Sequence, residues 1–331
     1  MPRAPSAVAA PLGRRAFLRL GAAGLAAAAV PLAGCGREPL RIALHPWPGY
    51  EFLRLAQGLG WVPESQVRLV RTANFVESVA AFESGGVDGV GVTLDEALRL
   101  RDRGHPVQVV LVFDVSVGAD VLLARPEVET LADLRGRRIG VEPSTLGTVM
   151  LFEALQAGGL RRADVQVVDL PHDHYSGWAS GELDALVTYE PSLGRLRAEG
   201  LVPLFDSRRL PQLIVDVLAV RPDAARRRAD ALRTLVDAHF RALRRWQVNP
   251  VDAGYRLAPL LRVAPEQVPA AYAGLDLPDA LYNRRYLTAP AGELTRAAGE
   301  LARVLVAERL IERAPDLEGL FSVDYLPGAA R

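Results

Sequence analysis

The sequence predicts an α/β protein of two similar lobes, each a mainly parallel sheet flanked by helices, with a ligand cleft between them. Two observations carry this prediction. First, the chain repeats itself. RIALHP (Arg41–Pro46) returns as RIGVEP (Arg138–Pro143), 97 positions on, and FESGGVDGVGVT (Phe82–Thr93) returns as WASGELDALVT (Trp178–Thr188), 96 positions on. Two pairs in one order at nearly one offset mark an internal duplication too long for a solenoid unit. Second, each half alternates short apolar runs with helix-periodic stretches, which is the grammar of parallel strands joined by helices.

In the first half, Ile42–Leu44 reads as a strand, a Pro-containing loop follows, and Leu53–Leu59 has helical apolar spacing. Val67–Val70 is the second strand. A helix then closes at Ser84-Gly85, and Val87–Val92 is the third strand, stopping at Thr93. The second half repeats the order with Ile139–Val141, Thr148–Ala157, Val165–Val168, Ser180-Gly181 and Leu183–Val187, stopping at Thr188. Gly after Ser suits the left-handed conformation that ends a helix. Ligands of open parallel sheets sit outside the carboxyl ends of the strands. That rule selects the loops His45–Tyr50, Thr93–Glu96, Glu142–Gly147 and Thr188–Glu190.

The first 34 residues read as an address rather than as structure. Arg3, Arg14, Arg15 and Arg19 precede or open an apolar run that reaches Gly34, with no acid among them. The stretch Gly13–Leu20 resembles a twin-arginine export signal. LAGC (Leu32–Cys35) resembles a lipobox, which makes Cys35 the expected lipidation site and first mature residue. Cys35 is the only cysteine, and lipidation explains an otherwise unpaired thiol in an exported chain. The expected location is outside the cytoplasm, periplasmic or at the outer face of a membrane, on a lipid anchor.

Removing residues 1–34 leaves 35 basic against 39 acidic residues, a formal charge of −4. No basic patch of the kind nucleic acids require is indicated. The chain has no Lys, so a Schiff base, a P-loop lysine and a lysine general base are excluded. GxSxG, HExxH and Walker A motifs are absent, and Gly89-Val90-Gly91 lacks the third glycine of a dinucleotide loop. No cofactor is expected. HDH (His172–His174) reads as a polar turn, because two His one residue apart do not make a metal-ligand set.

Six segments carry a family resemblance: PWPGYE (Pro46–Glu51), FESGGVDGVGVTLDEAL (Phe82–Leu98), VLVFDVSVGADVLLAR (Val110–Arg125), LADLRGRRIGVEP (Leu131–Pro143), GELDALVTYEP (Gly181–Pro191) and LFDS (Leu204–Ser207). On these the chain resembles the nitrate/sulfonate/taurine-type substrate-binding proteins of ABC importers, and their relatives that bind thiamine-pyrimidine precursors. The resemblance implies a type II periplasmic-binding fold. Its two crossings would fall near Asp114–Gly118 and Leu210–Val217, and C-terminal helices such as Ala224–Gln247 and Glu293–Ala307 would return to the first lobe. The implied division is a signal at 1–34, lobe one at 35–115 plus 218–331, and lobe two at 116–217. Delivery of ligand to an ABC permease and its ATPase is implied in the same way. A sensor subunit reporting to a membrane receptor needs the same cleft. Fungal thiamine-pyrimidine synthases share the superfamily's fold but use a lysine-bound cofactor, a cysteine cluster and iron. This chain has no lysine and one cysteine, so it is read as a non-enzyme, with an unrecognised enzyme on the same fold as the remaining alternative.

Trp47 lies between Pro46 and Pro48, which hold the ring for stacking on a planar ligand, with Tyr50 beside it. Thr93 and Asp95 match the family's binding loop; helix capping is the competing role. Ser144 and Thr145 precede a helix start, where hydroxyls and free N–H groups form a ready anion site, with capping alone as the competing role. Asp114 and Ser116 lie at the first crossing with Asp120, Tyr189 and Glu190 end a lobe-two strand, and Asp216 sits in an apolar segment where an acid is usually paired or functional. No Arg falls in the four strand-end loops. The expected ligand is therefore aromatic, pyrimidine-like or an amine rather than a simple anion.

Overall fold

The structure, a computed structural model, describes residues 38–328 apart from 172, 191 and 289–291. The expected signal and Cys35 lie outside the described residues. Pro39–Arg331 forms a compact unit of its own.

Strand β1 (Leu40–Leu44) pairs in parallel with β2 (Val67–Arg71) and with β3 (Gly89–Thr93). In the second lobe β6 (Arg138–Val141) pairs in parallel with β7 (Gln166–Asp169) and β8 (Ala185–Thr188). The duplication extends to the register: Ile42 faces Gly89 in one sheet, and Ile139 faces Ala185 in the other. Small residues at β3 are needed here. A Cβ on Gly89 would meet the Ile42 side chain at 2.7 Å, and one on Gly91 would meet the Tyr50 ring at 3.1 Å.

The remaining strands make both sheets mixed rather than mainly parallel. Strand β4 (Gln108–Ser116) leads into the first crossing, and β10 (Val215–Val220) returns from the second; β11 (Leu275–Asp276) adds an edge. The sheet order is β11-β4-β10-β3-β1-β2, with β10 antiparallel to both neighbours. In lobe two β5 (Val121–Ala124) runs antiparallel to β8 and to β9 (Val202–Asp206), giving β7-β6-β8-β5-β9. The reason is topological. The crossings enter each lobe at the cleft, where β3 and β8 end, so the entering strands β5 and β10 must run the opposite way.

Ser207 and Ser116 tie the two crossings together. Their hydroxyls lie 2.7 Å apart, Gly118 donates its N–H to Ser207 Oγ at 2.7 Å, and Asp120 donates its N–H to Ser116 Oγ at 3.2 Å. Gly118 has φ 109°, a left-handed conformation that Gly adopts without strain.

The C-terminal helices pack on lobe one, and Glu293–Ala307 also meets the lobe-two helix Thr145–Ala157. The long one runs Ala229–Val248, after a separate short helix Pro222–Arg227. Helix Ala280–Leu287 reaches β4 through Asn283, which is fully buried. Asn283 Oδ1 accepts from the Val112 N–H at 2.7 Å, and its amide donates to the carbonyls of Val112, Pro278 and Asp279 at 3.1, 3.2 and 3.2 Å. Asn283→Ala strands these backbone groups away from water. The expected cost is about 3 kcal/mol in urea unfolding; a change within error would show that the helix contributes packing alone.

Candidate functional site

The site is built where β1, β3 and β10 of lobe one face β6 and β8 of lobe two. After β1 the chain makes a single turn, Pro48–Tyr50, with Trp47 extended before it (φ −156°). Pro48 suits the first position of that turn, where no N–H is needed. Gly49 is required by close approach, since a Cβ there would lie 1.8 Å from Asp114 Oδ2. The turn is fastened on both sides: Trp47 Nε1 donates to Asp114 Oδ2 at 3.0 Å, and Tyr272 OH donates to the Pro48 carbonyl at 3.1 Å. Tyr50 is fully buried, edge-on to His45 and Phe113, and its hydroxyl donates to Asp216.

Asp216 owes its place to β10. It pairs with Thr93 of β3 on one side and with Asp114 of β4 on the other. Burial pushes the Asp114 carboxyl up to about 8, and burial together with the neighbouring Asp114 charge holds Asp216 well above the usual carboxylate range. Asp120, 1% exposed, is raised to about 6 by burial, with the Ser116 hydroxyl and His174 acting in the opposite direction, and neither carboxylate oxygen makes a full hydrogen bond. Asp95 is raised to about 7 by burial and by Glu96 beside it.

Lobe two contributes Glu142, Ser144 and Tyr189. Tyr189 OH donates to Glu142 Oε2 at 2.9 Å, and His174 Nε2 lies 3.4 Å from the same oxygen. His174 is 2% exposed, with Nδ1 3.1 Å from Thr188 Oγ1. His172 of the HDH segment lies outside the described residues; Asp173 caps the helix His174–Ala179, and His174 is buried against Thr188 and Glu142 rather than standing in a polar turn.

The lobes touch across the cleft. The Trp47 and Tyr189 rings meet edge to face, 5.8 Å between centroids. Thr145 Oγ1 donates to Glu96 Oε1 at 2.5 Å, and Arg99 Nη1 donates to both at 2.7 and 3.2 Å. Together they enclose a cavity of about 60 Å³.

Of the eleven residues expected from sequence, Trp47, Tyr50, Thr93, Ser144, Tyr189 and Asp216 line this cavity. The other five are placed around it. Asp114 lies behind Trp47, Asp95 is buried in the first turn of the helix Leu94–Asp102, Ser116 is in the crossing, and Thr145 is in the inter-lobe contact. Glu190 faces a second chamber on the other side of Trp47. The remaining wall includes Glu96, Asp120, Glu142, Phe75 and Leu146. Glu96, Glu142 and Leu146 belong to the strand-end loops already selected, so that rule contained them. Phe75 starts the helix Phe75–Glu83 and has no sequence signal beyond apolar spacing. No Arg lines the cavity among the described residues.

Comparison with known proteins agrees with the resemblance to the nitrate/sulfonate/taurine-binding family. A model of the NMT1-like family matches residues 35–257. The taurine-binding periplasmic protein of Escherichia coli is 26% identical over 149 residues, covering 44% of this chain and 46% of that protein. The curated relatives matched are spanned over only 39% to 52% of their own length. In fold, the periplasmic aliphatic sulphonate binding protein SsuA of Escherichia coli superposes with a TM-score of 0.70 at 19% identity, covering 86% of this chain and 97% of that one. The desulfurization enzyme DszB superposes with a TM-score of 0.61, also at 19% identity, over 88% and 99%.

Proposed function

Since the chain belongs to the NMT1-like family, we propose that it is an extracytoplasmic binding protein that captures a small ligand in the cleft and delivers it to an ABC permease and its ATPase. Export by the 1–34 segment and lipidation at Cys35 are part of this reading. So is the division into lobe one (35–115 plus 218–331) and lobe two (116–217), moving about the Ser116–Ser207 crossings. Ligand contacts both lobes only when they are closed, and its differential affinity for that state sets how far the population shifts.

The observation that carries the ligand class is the charge of the cavity. Glu96, Asp120, Glu142 and Asp216 line it and no Arg does, among the described residues. Glu96, Glu142 and Asp216 already have partners within the protein, whereas both Asp120 carboxylate oxygens lack a full hydrogen bond, and a buried carboxylate in that state demands hydrogen-bond donors from whatever fills the space. The ligand is therefore an amine or a protonated, pyrimidine-like ring, with Trp47, Tyr50 and Tyr189 as its aromatic walls and Thr93, Ser144 and Asp216 as polar contacts. Asp114, Asp95, Ser116, Thr145 and Glu190 act from around the cavity. DszB is an enzyme on this fold; binding without chemistry is favoured here because the chain has no Lys and its one thiol, Cys35, is the expected lipidation site.

The test is thermal stability of residues 36–331 against nitrate, sulfonates, amines and pyrimidines. A ligand at a hundred times its Kd adds about 2.7 kcal/mol and about 5–10 °C to Tm. Amines or pyrimidines are expected to give that shift, and Trp47→Ala to abolish it. Stabilisation by nitrate or a sulfonate, with none from amines or heterocycles, would overturn the ligand class.

A further inference from the structure

Lobe one carries a cationic and apolar face that ligand capture does not use. Its centre is a shallow groove of about 390 Å³ between Trp61 and the end of the helix Ala229–Val248. Arg241, Arg244, Arg245 and Val248 line it, spaced so that all four fall on one side of the last two turns. Three Arg and no acid line this groove, on a chain whose residues 35–331 have a formal charge of −4. Arg241 lies over the Trp61 ring at 4.3 Å, and Arg245 donates to Asp252 at 2.9 Å. Arg244 is exposed, with no hydrogen bond or ion pair among the described residues. The next helix, Pro250–Leu261, adjoins this face with apolar side chains. Val251 and Tyr255, one turn apart, are 69% and 66% exposed, and Val248 before them is 75% exposed. Clustered apolar side chains left in water mark interaction surfaces.

The groove lies at the end of lobe one away from the cleft. The helix Glu51–Gly58 carries the chain from the cleft loop back to the amino ends of the strands, and Trp61 follows it. Leu40, which opens β1, is at the same end: its N–H donates to the Gln66 carbonyl at 2.9 Å, and the Gln66 N–H donates to the Pro63 carbonyl at 2.9 Å, two residues after Trp61.

We propose that this face docks on an anionic lipid surface, that of the membrane holding the Cys35 anchor. The proposal rests on the lipidation reading above, and the length of the tether carries it. Five residues separate Cys35 from Leu40, a reach of at most about 17 Å of extended chain. A lipid on Cys35 therefore keeps this end of lobe one close to the bilayer. Tryptophan and tyrosine suit the headgroup layer, and guanidinium groups suit anionic headgroups. Docking adds a second anchoring signal to the acyl chains. It leaves the cleft, at the other ends of the strands, uncovered.

The test removes the tether and asks whether the face binds lipid by itself. Residues 36–331, which hold the compact unit whole, are sedimented with phosphatidylcholine vesicles, with and without phosphatidylglycerol as about a third of the lipid. Two guanidinium groups near the surface are expected to raise partition onto the anionic vesicles about thirtyfold. At about 1 M salt, where the screening length is about 3 Å, that advantage is expected to vanish. In Arg241→Ala/Arg244→Ala it is expected to fall to within about threefold. Val251→Ser/Tyr255→Ser is expected to weaken binding to both vesicle types. Arg162→Ala/Arg303→Ala removes the same charge from exposed positions in lobe two and on the helix Glu293–Ala307, and is expected to retain the advantage. Equal partition onto the two vesicle types, an advantage that survives Arg241→Ala/Arg244→Ala, or one lost equally in Arg162→Ala/Arg303→Ala overturns the docking face and leaves the lipidation reading standing. That reading has its own measurement, the mass of the full chain recovered from bacterial membranes. An unmodified Cys35 overturns it, and the docking proposal falls with it.

Discussion

Asp120→Asn is expected to weaken ligand binding by about a hundredfold while making the ligand-free protein more stable. Both effects come from one fact. Asp120 is buried against the cavity, neither carboxylate oxygen makes a full hydrogen bond, and the Ser116 hydroxyl and His174 offset only part of the cost of burial. A buried ion left unpaired is a standing cost, repaid only when a cationic or donor-rich ligand arrives. Removing one partner of such a buried charge pair costs about 2–5 kcal/mol of binding, so a hundredfold loss, about 2.7 kcal/mol, falls within that range. In the empty protein the sign reverses. The Asp120 carboxyl is raised to about 6, so at pH 8 it is ionised in both folded and unfolded states and the folded state bears the full penalty. Asn removes that penalty, for a gain of about 2–3 kcal/mol at pH 8 by linkage. Calorimetric titration and urea unfolding on one preparation check both halves. Unchanged affinity together with lowered stability would mean that Asp120 is a structural residue of the crossing.

The ligand-free protein is expected to lose stability as pH rises from about 5 to about 8, against the common pattern of maximal stability near neutrality. Among the carboxyls raised by burial, Asp120 reaches about 6, Asp95 and Glu51 about 7 and Asp114 about 8, and Asp216 is held well above the usual range. Below their unfolded values both states hold the protons and the contribution of these groups is fully present. Above those values the unfolded chain gives up its protons first, so stability falls until the folded values are passed. His239 acts in the opposite direction. Burial lowers its imidazole to about 3, so its contribution is present above the unfolded value and is lost as pH falls toward 3. It offsets part of the decline below about 6.5 and none of it above. The carboxylates held low, such as exposed Asp133 and half-buried Asp164, titrate in acid, outside this window. The expected loss between pH 5 and pH 8 is at least about 2 kcal/mol, and Asp114→Asn, which keeps an acceptor for Trp47, is expected to flatten the slope above pH 7. Urea midpoints that stay level or rise across this range would show that the carboxyls are solvated in the free protein, as they would be if the lobes stood open.

The inter-lobe contacts give these predictions a common setting. The Glu96–Thr145–Arg99 group and the Trp47–Tyr189 ring contact hold the lobes together over a cavity that is acidic and small. Buried carboxylates repel one another across that cavity, while the latch and the aromatic edge draw the walls in. A ligand carrying donors changes the first term and leaves the second, which is how a small molecule can shift an open–closed equilibrium.

The duplication, the three parallel strands of each lobe and the loops at their carboxyl ends were all legible in the chain. These depend on local alternation and on two copies of one pattern, and the register confirms it, Ile42 facing Gly89 as Ile139 faces Ala185. Trp47, Tyr50, Thr93, Ser144 and Tyr189 were legible for the same reason, because each lies at or just after a strand end. Asp216 was marked by its apolar flanks, although its neighbours were not. The insertion of β10 between β3 and β4 was decided by tertiary structure, since nothing local says which strands a returning segment will join. That insertion places Asp216 beside Asp114 and turns each sheet from mainly parallel to mixed. The turning of Asp120 toward the cavity, the burial of His174 behind Glu142, the hydrogen bond from Thr145 to Glu96, and the second chamber beside Trp47, lined by the end of the helix Pro250–Leu261, were decided in the same way. Each joins residues dozens to hundreds of positions apart, or turns a side chain inward from a segment with no period of its own. Such contacts are set by the packing of whole elements, and local sequence periodicity carries no record of it.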